Sequence, residues 1–525
     1  MSLLTALARA EAAAAGVAQP IATVRHLHLA DRPLVFVPLA LAGEANAPLA
    51  AMVGAEVDDP ALLIVPQPRN RDQRFAFAAA LGHIIASYVD SFRGVAEAVP
   101  VDRGRDVRYR YTDAPQLLVP NPAGVTFTRL LGRSTRFRRT DGEYPVGAAV
   151  PLLGRWLTFF AERAEHPGSS MLLAMTDALG RHWATGQSAL EDAHLAALLA
   201  WIDPPTGLSG VQAAAEAEDP RRWPPAGPVT DPVFDNEVLA PAIAAYEGTA
   251  TADGAAPVVV EGRITGAAAP PGGDAAARAY GELAEVLRSQ LEPTWRLMWR
   301  GVALLRGLPA AASVERRWTA DRDAYTDFLT YLDEGGGPQP RHDGAVAAAA
   351  RLHRLERALA SYEVQRAYDD PLVMADYRLT GEAFVGEVTL ADPARVDESG
   401  RRPVLRPRIQ VVTADPVLLP VGAVLRSPAR PAQKARIVFV TPVDSGAKTE
   451  VVLELSGGMG RSLTAPPGSV PEVGERVCFT TLADDYLPPG AFPSPEETPW
   501  THGGPPASAE TGVLPPDESP IEDWS

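Results

Sequence analysis

The pattern of apolar and polar positions predicts alternating short strands and helices over the first half of the chain. Apolar runs with β-branched residues at Leu34–Leu41 and Ala61–Val65 are typical of buried strands, whereas apolar residues recur at helical spacing from Phe75 to Phe92. Helical periodicity returns in three later segments: Val150–Ala164, Ser170–Leu179 and Ala189–Trp201. We therefore expect an N-terminal α/β region followed by a mainly helical middle.

The second half of the chain changes from helical to alternating periodicity. Asp274–Arg306 and Asp343–Tyr368 have helical spacing, and the alternation of strands begins after Asp376. The expected strands lie within Tyr377–Thr389, Arg408–Thr413, Ala435–Val440 and Thr449–Leu455. Short strands separated by Gly and Pro turns at this spacing indicate a small β-barrel.

A chain of 525 residues is too long for one hydrophobic core, and its 46% hydrophobic and 22% charged content is ordinary for globular domains. We expect a multidomain α+β protein. The expected segments are an α/β domain at 1–140 ending in an arginine-rich stretch, a helical domain at 141–247, a linker at 248–273, a helical domain at 274–370, the small β-barrel at 371–487 and a disordered acidic tail at 488–525.

Several chemistries lack their motifs in this sequence. The single cysteine, Cys478, excludes an internal disulfide and any site built from several thiolates. There is no phosphate-binding Gly-x-x-x-x-Gly-Lys-Ser/Thr motif, no His-Glu-x-x-His and no Gly-x-Ser-x-Gly elbow. We therefore expect no catalytic residue, no metal and no cofactor, and the sequence favours a non-catalytic protein.

The cellular location is expected to be cytoplasmic, without membrane contact. No uninterrupted apolar run reaches the roughly 18 residues that span a bilayer. Arg9 and Glu11 interrupt the first apolar stretch, which predicts a helix there rather than a signal peptide.

The net charge of −17 is unevenly distributed. A first basic island at 92–139 holds ten arginines against four acids, and a second at 401–448 holds nine basic residues against two acids. Guanidinium groups bind phosphates bidentately and aromatic rings stack on bases, so both islands are candidate nucleic-acid contacts. The candidate residues are Arg129, Arg133, Arg136, Phe137, Arg138 and Arg139 in the first island and Arg402, Arg406, Arg408, Lys434 and Arg436 in the second.

Each island also has a structural interpretation. The first is also compatible with a solvated loop, or with a loop that docks on the acidic segment 141–261 of the same chain, and for this island the structural interpretation is the favoured one. The second lies on a predicted barrel, and small barrels dock proteins as well as oligonucleotides.

Residues 352–482 carry a likeness to a known family. They contain a lead helix at His353–Gln365, the sequence Leu379–Val388 and the closing sequence Val470–Leu482. This order of helix and barrel resembles the accessory barrel inserted into the motor of superfamily 1 helicases. The motor domains have no counterpart elsewhere in the chain, so the resemblance implies a helicase-linked accessory protein whose motor is a separate polypeptide, as in DNA repair or anti-phage defence.

The sequence as a whole favours a non-catalytic accessory subunit of a nucleic-acid-processing complex, which binds a helicase or nuclease partner and DNA or RNA. The acidic middle and tail would contact a basic partner, or shield the islands until nucleic acid competes. Two alternatives stay open. One is an enzyme with a site at His26, His28 and Asp31, where two histidines two residues apart would share one face of a strand. The other is a scaffold that binds only proteins.

Overall fold

The computed structural model describes residues 2–43, 47–101, 105–220, 223–225, 227, 229–249, 274–460, 462–484, 490–494 and 497. The α-helices are α1 (Leu3–Ala15), α2 (Arg71–Asp90), α3 (Pro122–Thr135), α4 (Ala149–Ala164), α5 (Met175–Gly180), α6 (Ala189–Asp192), α7 (Leu195–Ile202), α8 (Gly210–Ala217), α9 (Pro232–Phe234), α10 (Ala240–Thr249), α11 (Asp274–Arg306), α12 (Val314–Asp333), α13 (Ala345–Asp369) and α14 (Pro371–Leu379). The predicted linker from residue 250 onward, and most of the predicted tail at 488–525, lie outside the described residues.

The strands fall into an N-terminal set and a C-terminal set. The first set is β1 (Gln19–Pro20), β2 (Leu34–Ala40), β3 (Pro48–Gly54), β4 (Ala61–Ile64), β5 (Ala96–Val101), β6 (Asp106–Tyr111), β7 (Leu117–Val119), β8 (Leu172–Ala174) and β9 (Trp183–Ala184). The second set is β10 (Ala383–Asp392), β11 (Val396–Asp397), β12 (Val404–Leu405), β13 (Arg408–Thr413), β14 (Val424–Ser427), β15 (Arg430–Val443), β16 (Lys448–Ser456) and β17 (Arg476–Thr480).

A five-stranded mixed sheet forms the centre of the N-terminal half, in the order β4-β3-β2-β7-β8. Strands β2, β3 and β4 form an antiparallel meander, and β7 and β8 extend the sheet in parallel to β2. Every residue of β2, β4, β7 and β8 is buried. Both faces of the sheet are covered, which is why the strands appear in the sequence as continuous apolar runs rather than as alternation.

Helices cover the two faces of this sheet and give two hydrophobic cores. On one face, Val35 and Val37 pack with residues of α5, α7, α10 and α11, including Trp295. On the other face, Leu34 and Phe36 pack with residues of α2, α3, α4 and α12. The arrangement is a three-layer α/β/α sandwich. Helices from the segments predicted as separate helical domains thus share cores with the N-terminal sheet, while the domain boundaries themselves stay predictions.

The helix predicted at Ser170–Leu179 is only partly correct. Leu172–Ala174 form the edge strand β8, and the helix α5 starts afterwards at Met175. A three-residue strand buried on both faces has no periodicity of its own, and its pairing with β7 fixes its conformation. Strand β3, which alternates no more clearly than β8, was likewise not predicted.

One described helical segment, Arg71–Gly94, is long and apolar enough to cross a membrane, and 44% of its most apolar window is buried inside the protein. Phe77, Leu81, Ile85 and Val89 of this segment pack beneath the sheet. Its apolar character is therefore accounted for by the core of the sandwich.

The predicted small β-barrel is confirmed. Six strands close it in the order β10-β13-β16-β15-β14-β17, with β17 pairing back onto β10. The interior is filled by alternating side chains such as Ile409, Val411, Leu453 and Phe479. At Gly386 a Cβ atom would lie 2.5 Å from the Val412 carbonyl oxygen, so only glycine lets β10 approach β13 this closely.

The junction between sandwich and barrel is anchored by two carboxylates, one buried and one partly exposed. Asp370 caps α14 and accepts hydrogen bonds from the Thr23 backbone, the Thr23 hydroxyl and the His26 Nε2 atom at 2.8, 2.9 and 3.1 Å. At the other end of α14, Arg378 makes a bidentate pair with Asp415 at 2.7 and 2.8 Å. The short helix α14 is thereby held at both ends, and it positions the barrel against the α/β sandwich.

Candidate nucleic-acid interface

The outer face of strands β13, β16 and β15 carries its side chains in rows across the barrel. Arg408, Glu454 and Arg436 are directly opposite one another in the strand register and form the first row. Residues beside them in the chain, such as Ile409 and Leu453, are fully buried in the interior. Because successive side chains of a strand point to opposite faces, the row lies on the outside of the barrel.

Three arginines surround the Glu454 carboxylate of this row. The Glu454 Oε1 atom accepts from Arg436 at 2.9 Å, and its Oε2 atom accepts from Arg395 at 2.8 Å and from Arg408 at 3.3 Å. Arg395 reaches this position from the segment before β11, where its guanidinium also donates to the Arg406 carbonyl. We call Arg395, Arg408 and Arg436 around Glu454 the barrel arginine cluster.

The barrel arginine cluster carries more positive than negative charge and is partly open to solvent. Burial alone would raise the pKa of Glu454, but hydrogen bonds from Arg436 and Arg408 and the charge of Arg395 hold the pKa below its ordinary value. The carboxylate is therefore ionised at neutral pH. Asp392 of β10 is exposed and opposite Arg408 in the strand register, so three guanidinium groups against two carboxylates leave one positive charge in excess. The side chains of Arg395, Arg408 and Arg436 are 27%, 38% and 58% exposed.

The other candidate residues of the second basic island lie around this cluster. Lys434 is exposed on β15, two residues from Arg436 and on the same face. Arg406 is half-buried, and its backbone N–H donates to the Arg395 carbonyl oxygen at 2.8 Å. Arg402 is exposed in the turn between β11 and β12. The structure thus brings Arg408, Arg436 and Lys434 onto one surface.

Three residues of this surface were not among the predicted site residues: Arg395, Glu454 and Phe439. A second row, next to the arginines, contains Gln410, Val452 and Phe439, which are opposite one another in the register. The Phe439 side chain is 56% exposed. The alternation within β16 could have placed Glu454 on the outside, but no sequence pattern gives the register that joins it to β13 and β15.

The first basic island is largely engaged within the protein. Arg136 is 5% exposed and donates to the Gln339 and Pro340 carbonyls at 3.0 and 3.1 Å. The guanidinium groups of Arg136 and Arg341 both contact the Phe137 ring, with carbon-to-centroid distances of 4.9 and 5.0 Å. The strip from Arg136 to Phe137 therefore holds the loop before α13 in place.

Other members of the first island differ in their exposure. Arg129 pairs with Glu165 at 2.9 Å, and Arg138 donates to the Ser134 carbonyl at 3.0 Å. Arg133 and Arg139 are exposed. Unlike the arginines of the barrel, which converge on the Glu454 carboxylate, these side chains do not converge on one group.

The upstream arginines of the first island meet the acidic helix α12. Arg108 pairs with Asp323 and, at 3.0 Å, with Asp327. Arg93 pairs with Asp333 at 3.3 Å. The intramolecular acids that neutralise this part of the island thus come mainly from α12 rather than from the acidic segment 141–261.

The histidines of the alternative site do not form a strand or share a face. His26 is buried against Asp370, and its backbone N–H donates to His182 Nε2 at 3.1 Å. His28 instead stacks on Trp318 at a centroid distance of 3.9 Å, where burial and then the nearby Arg25 and Arg322 charges lower its pKa to about 4. No group of three or more His, Cys, Asp or Glu side chains suited to a metal ion occurs within the described part of the chain.

Comparison with known protein families, curated proteins and solved structures finds no match to this chain. The resemblance of residues 352–482 to the accessory barrel of superfamily 1 helicases therefore stays a prediction.

Proposed function

We propose that this chain is a non-catalytic accessory subunit of a nucleic-acid-processing complex, and that it contacts DNA or RNA through the outer face of its barrel. The observation that carries the proposal is the barrel arginine cluster: three partly exposed arginines converge on one buried carboxylate and leave an excess of positive charge. Guanidinium groups fixed in orientation by a carboxylate are well suited to bidentate contacts with phosphate oxygens.

The charge of the whole chain gives this surface a role in specificity. With a net charge of −17, the protein as a whole repels a polyanion. A nucleic acid would therefore approach in the orientation that presents the barrel. Part of the first basic island is neutralised by acids of α12, so the second island keeps the largest basic excess. Such an arrangement favours productive encounter over indiscriminate binding.

The second half of the proposal concerns the partner, a helicase or nuclease subunit. It is supported by apolar side chains exposed within one stretch of the chain: Trp223, Val229, Val233 and Val238 are 39%, 52%, 59% and 43% exposed. Trp223 also lines a cavity of about 360 Å³ beside Pro293 and Leu297 of α11. Exposed apolar side chains that follow one another closely in the chain favour a protein–protein contact there.

The proposal is tested by purifying the native protein from its own cells, with and without nuclease treatment, and identifying what accompanies it by mass spectrometry. We expect a helicase or nuclease in near-equal amount that persists after nuclease treatment. A protein recovered alone, with neither partner nor nucleic acid, would contradict the proposal.

A matched pair of variants locates the partner contact. Val233 and Leu190 are both exposed at the second position of a short helix, where the helix dipole tolerates a new carboxylate. We expect Val233→Asp to reduce recovery of the partner and Leu190→Asp to leave it unchanged. Equal recovery with both variants would remove the support given by the exposed stretch.

A further inference from the structure

The outer barrel face presents two parallel rows with different chemistry. The first row is Arg408, Glu454 and Arg436, with Asp392 of β10 opposite Arg408 at one end. The second row is Gln410, Val452 and Phe439. Residues two apart in a strand are separated by about 7 Å, so the second row lies about 7 Å from the first. A charged row thus runs beside a row that ends in an aromatic ring, and both are perpendicular to the strands.

The second row extends beyond these three strands. Leu390 of β10 is opposite Gln410 and is 55% exposed. The row from Leu390 to Phe439 therefore crosses four strands, which at about 4.8 Å between neighbours gives a length of about 14 Å. It begins and ends in an exposed apolar side chain, with the Gln410 amide between them as a hydrogen-bonding group.

We infer that the barrel face binds single-stranded nucleic acid, with phosphates on the Arg408–Arg436 row and an unstacked base on the Phe439 ring. This inference rests on the proposed function and names its substrate class. In a duplex the base faces are stacked inside the helix, so a ring on a protein surface cannot reach them. In a single strand the bases can turn outward and stack on an exposed aromatic side chain while the backbone follows the basic groups.

The geometry favours a strand that crosses the barrel perpendicular to β13, β16 and β15. The arginines at the two ends of the first row lie two strand spacings apart, about 9.6 Å. The Glu454 carboxylate between them orients both guanidinium groups and keeps the phosphates toward the ends of the row. Beyond the second row, Glu450 is opposite Val412 and Thr441, and its carboxylate would repel a backbone that strayed to that side.

The test measures binding of the full chain by fluorescence anisotropy. The probes are a labelled single strand of about 16 nucleotides, the upper end of the site size of such barrels, the same strand paired with its complement, and an abasic strand of equal length. We expect the single strand to bind more tightly than the duplex. Phe439→Ala should weaken binding of the single strand about tenfold, equivalent to about 1.4 kcal/mol, and should leave the abasic strand unaffected.

Control variants separate stacking from a general loss of affinity. Tyr109→Ala removes an exposed aromatic ring from β6, which belongs to the β5–β6 hairpin and not to the barrel, and should change nothing. Phe439→Trp should restore binding, because a larger ring also stacks. Arg436→Gln should weaken the single strand and the abasic strand alike.

The outcomes distinguish this inference from the proposed function. Binding that depends on Arg436 but not on Phe439, or a duplex bound as tightly as the single strand, overturns the single-strand inference alone. No binding of any probe by the wild-type protein overturns both.

Discussion

Replacing Asp370 by alanine should destabilise the junction between the sandwich and the barrel far more than the loss of one helix cap. The Asp370 carboxylate is fully buried, caps α14 through the Leu372 N–H at 2.9 Å and accepts the backbone and hydroxyl of Thr23 and the ring of His26. These hydrogen bonds outweigh the effect of burial, which would raise the pKa of Asp370, and lower the pKa to about 2. The group is therefore ionised at any ordinary pH.

The expected cost follows from the groups that lose their partner. Loss of the cap alone costs about 1 kcal/mol. The Thr23 N–H and the His26 ring would also be left buried without an acceptor, at about 1–3 kcal/mol each. The Thr23 hydroxyl can rotate toward another acceptor, so the sum stays below the maximum. We expect Asp370→Ala to lower the free energy of unfolding by about 3–5 kcal/mol.

The assay is hydrogen exchange of the α14 amides combined with urea unfolding, since the exchange reports local opening of the junction. Asp231→Ala is the matched control, because Asp231 also caps a short helix through two backbone N–H groups but is not buried against a histidine. We expect the control to lose about 1 kcal/mol. If amide exchange in α14 rises no more in Asp370→Ala than exchange in α9 rises in Asp231→Ala, the buried network is not what holds the junction.

Three further predictions follow from the described residues. Burial keeps His28 in its neutral form and lowers its pKa to about 4. Its contribution to stability is therefore complete above about pH 6.5 and is lost as the pH falls toward 4, by up to about 3 kcal/mol. His28→Gln should flatten that part of the plot of urea midpoint against pH, and an unchanged plot would contradict this role of His28. Gly154→Ala should destabilise the protein by several kcal/mol, because its Cβ would overlap the backbone of Arg136 and lie 2.6 Å from the Thr135 hydroxyl; a melting temperature equal to that of the wild type would show that α3 and α4 can move apart. Glu454→Gln should lower both barrel stability and affinity for nucleic acid, as read by thermal melting and anisotropy, because the carboxylate orients the arginines of the cluster; raised affinity would show that orientation by the carboxylate is not what suits the arginines to phosphate binding.

The periodic parts of the fold could be predicted from the sequence. The helical spacing at 75–92, 150–164 and 274–306 corresponds to α2, α4 and α11, and the alternation after Asp376 corresponds to the barrel strands. In these helices and strands the periodicity is visible in the local sequence, because one face of each element is buried. Strand β8 does not, since three residues buried on both faces give no period.

The candidate site was predictable only as a region. Charge counting identified 401–448, and Arg408, Lys434 and Arg436 within it lie on one barrel surface. It could not identify Arg395, which lies outside that span, or Glu454, which joins the arginines through long-range strand pairing. Register depends on which strands pair, and pairing is a property of the folded barrel.

The two basic islands show why a charge count does not identify a binding surface. Both have a strong basic excess in the sequence, yet Arg108 in the first island pairs with Asp323 and Asp327 of a helix about two hundred residues later in the chain. Such neutralisation depends on the packing of α12 beside the β5–β6 hairpin. Only the folded chain shows which arginines remain directed toward solvent.

The salt dependence of oligonucleotide binding tests the central claim most directly. The double variants Arg408→Gln/Arg436→Gln and Arg133→Gln/Arg139→Gln are compared after their melting temperatures have been found equal. Each phosphate contact on a single strand contributes about 0.7 to the slope of log affinity against log salt concentration. We expect the barrel variant to lower that slope by about 1.4, for two lost contacts, and the variant of the first island to leave it unchanged. A slope that falls with Arg133 and Arg139 and persists without Arg408 and Arg436 would place the nucleic acid on the other island and contradict the account.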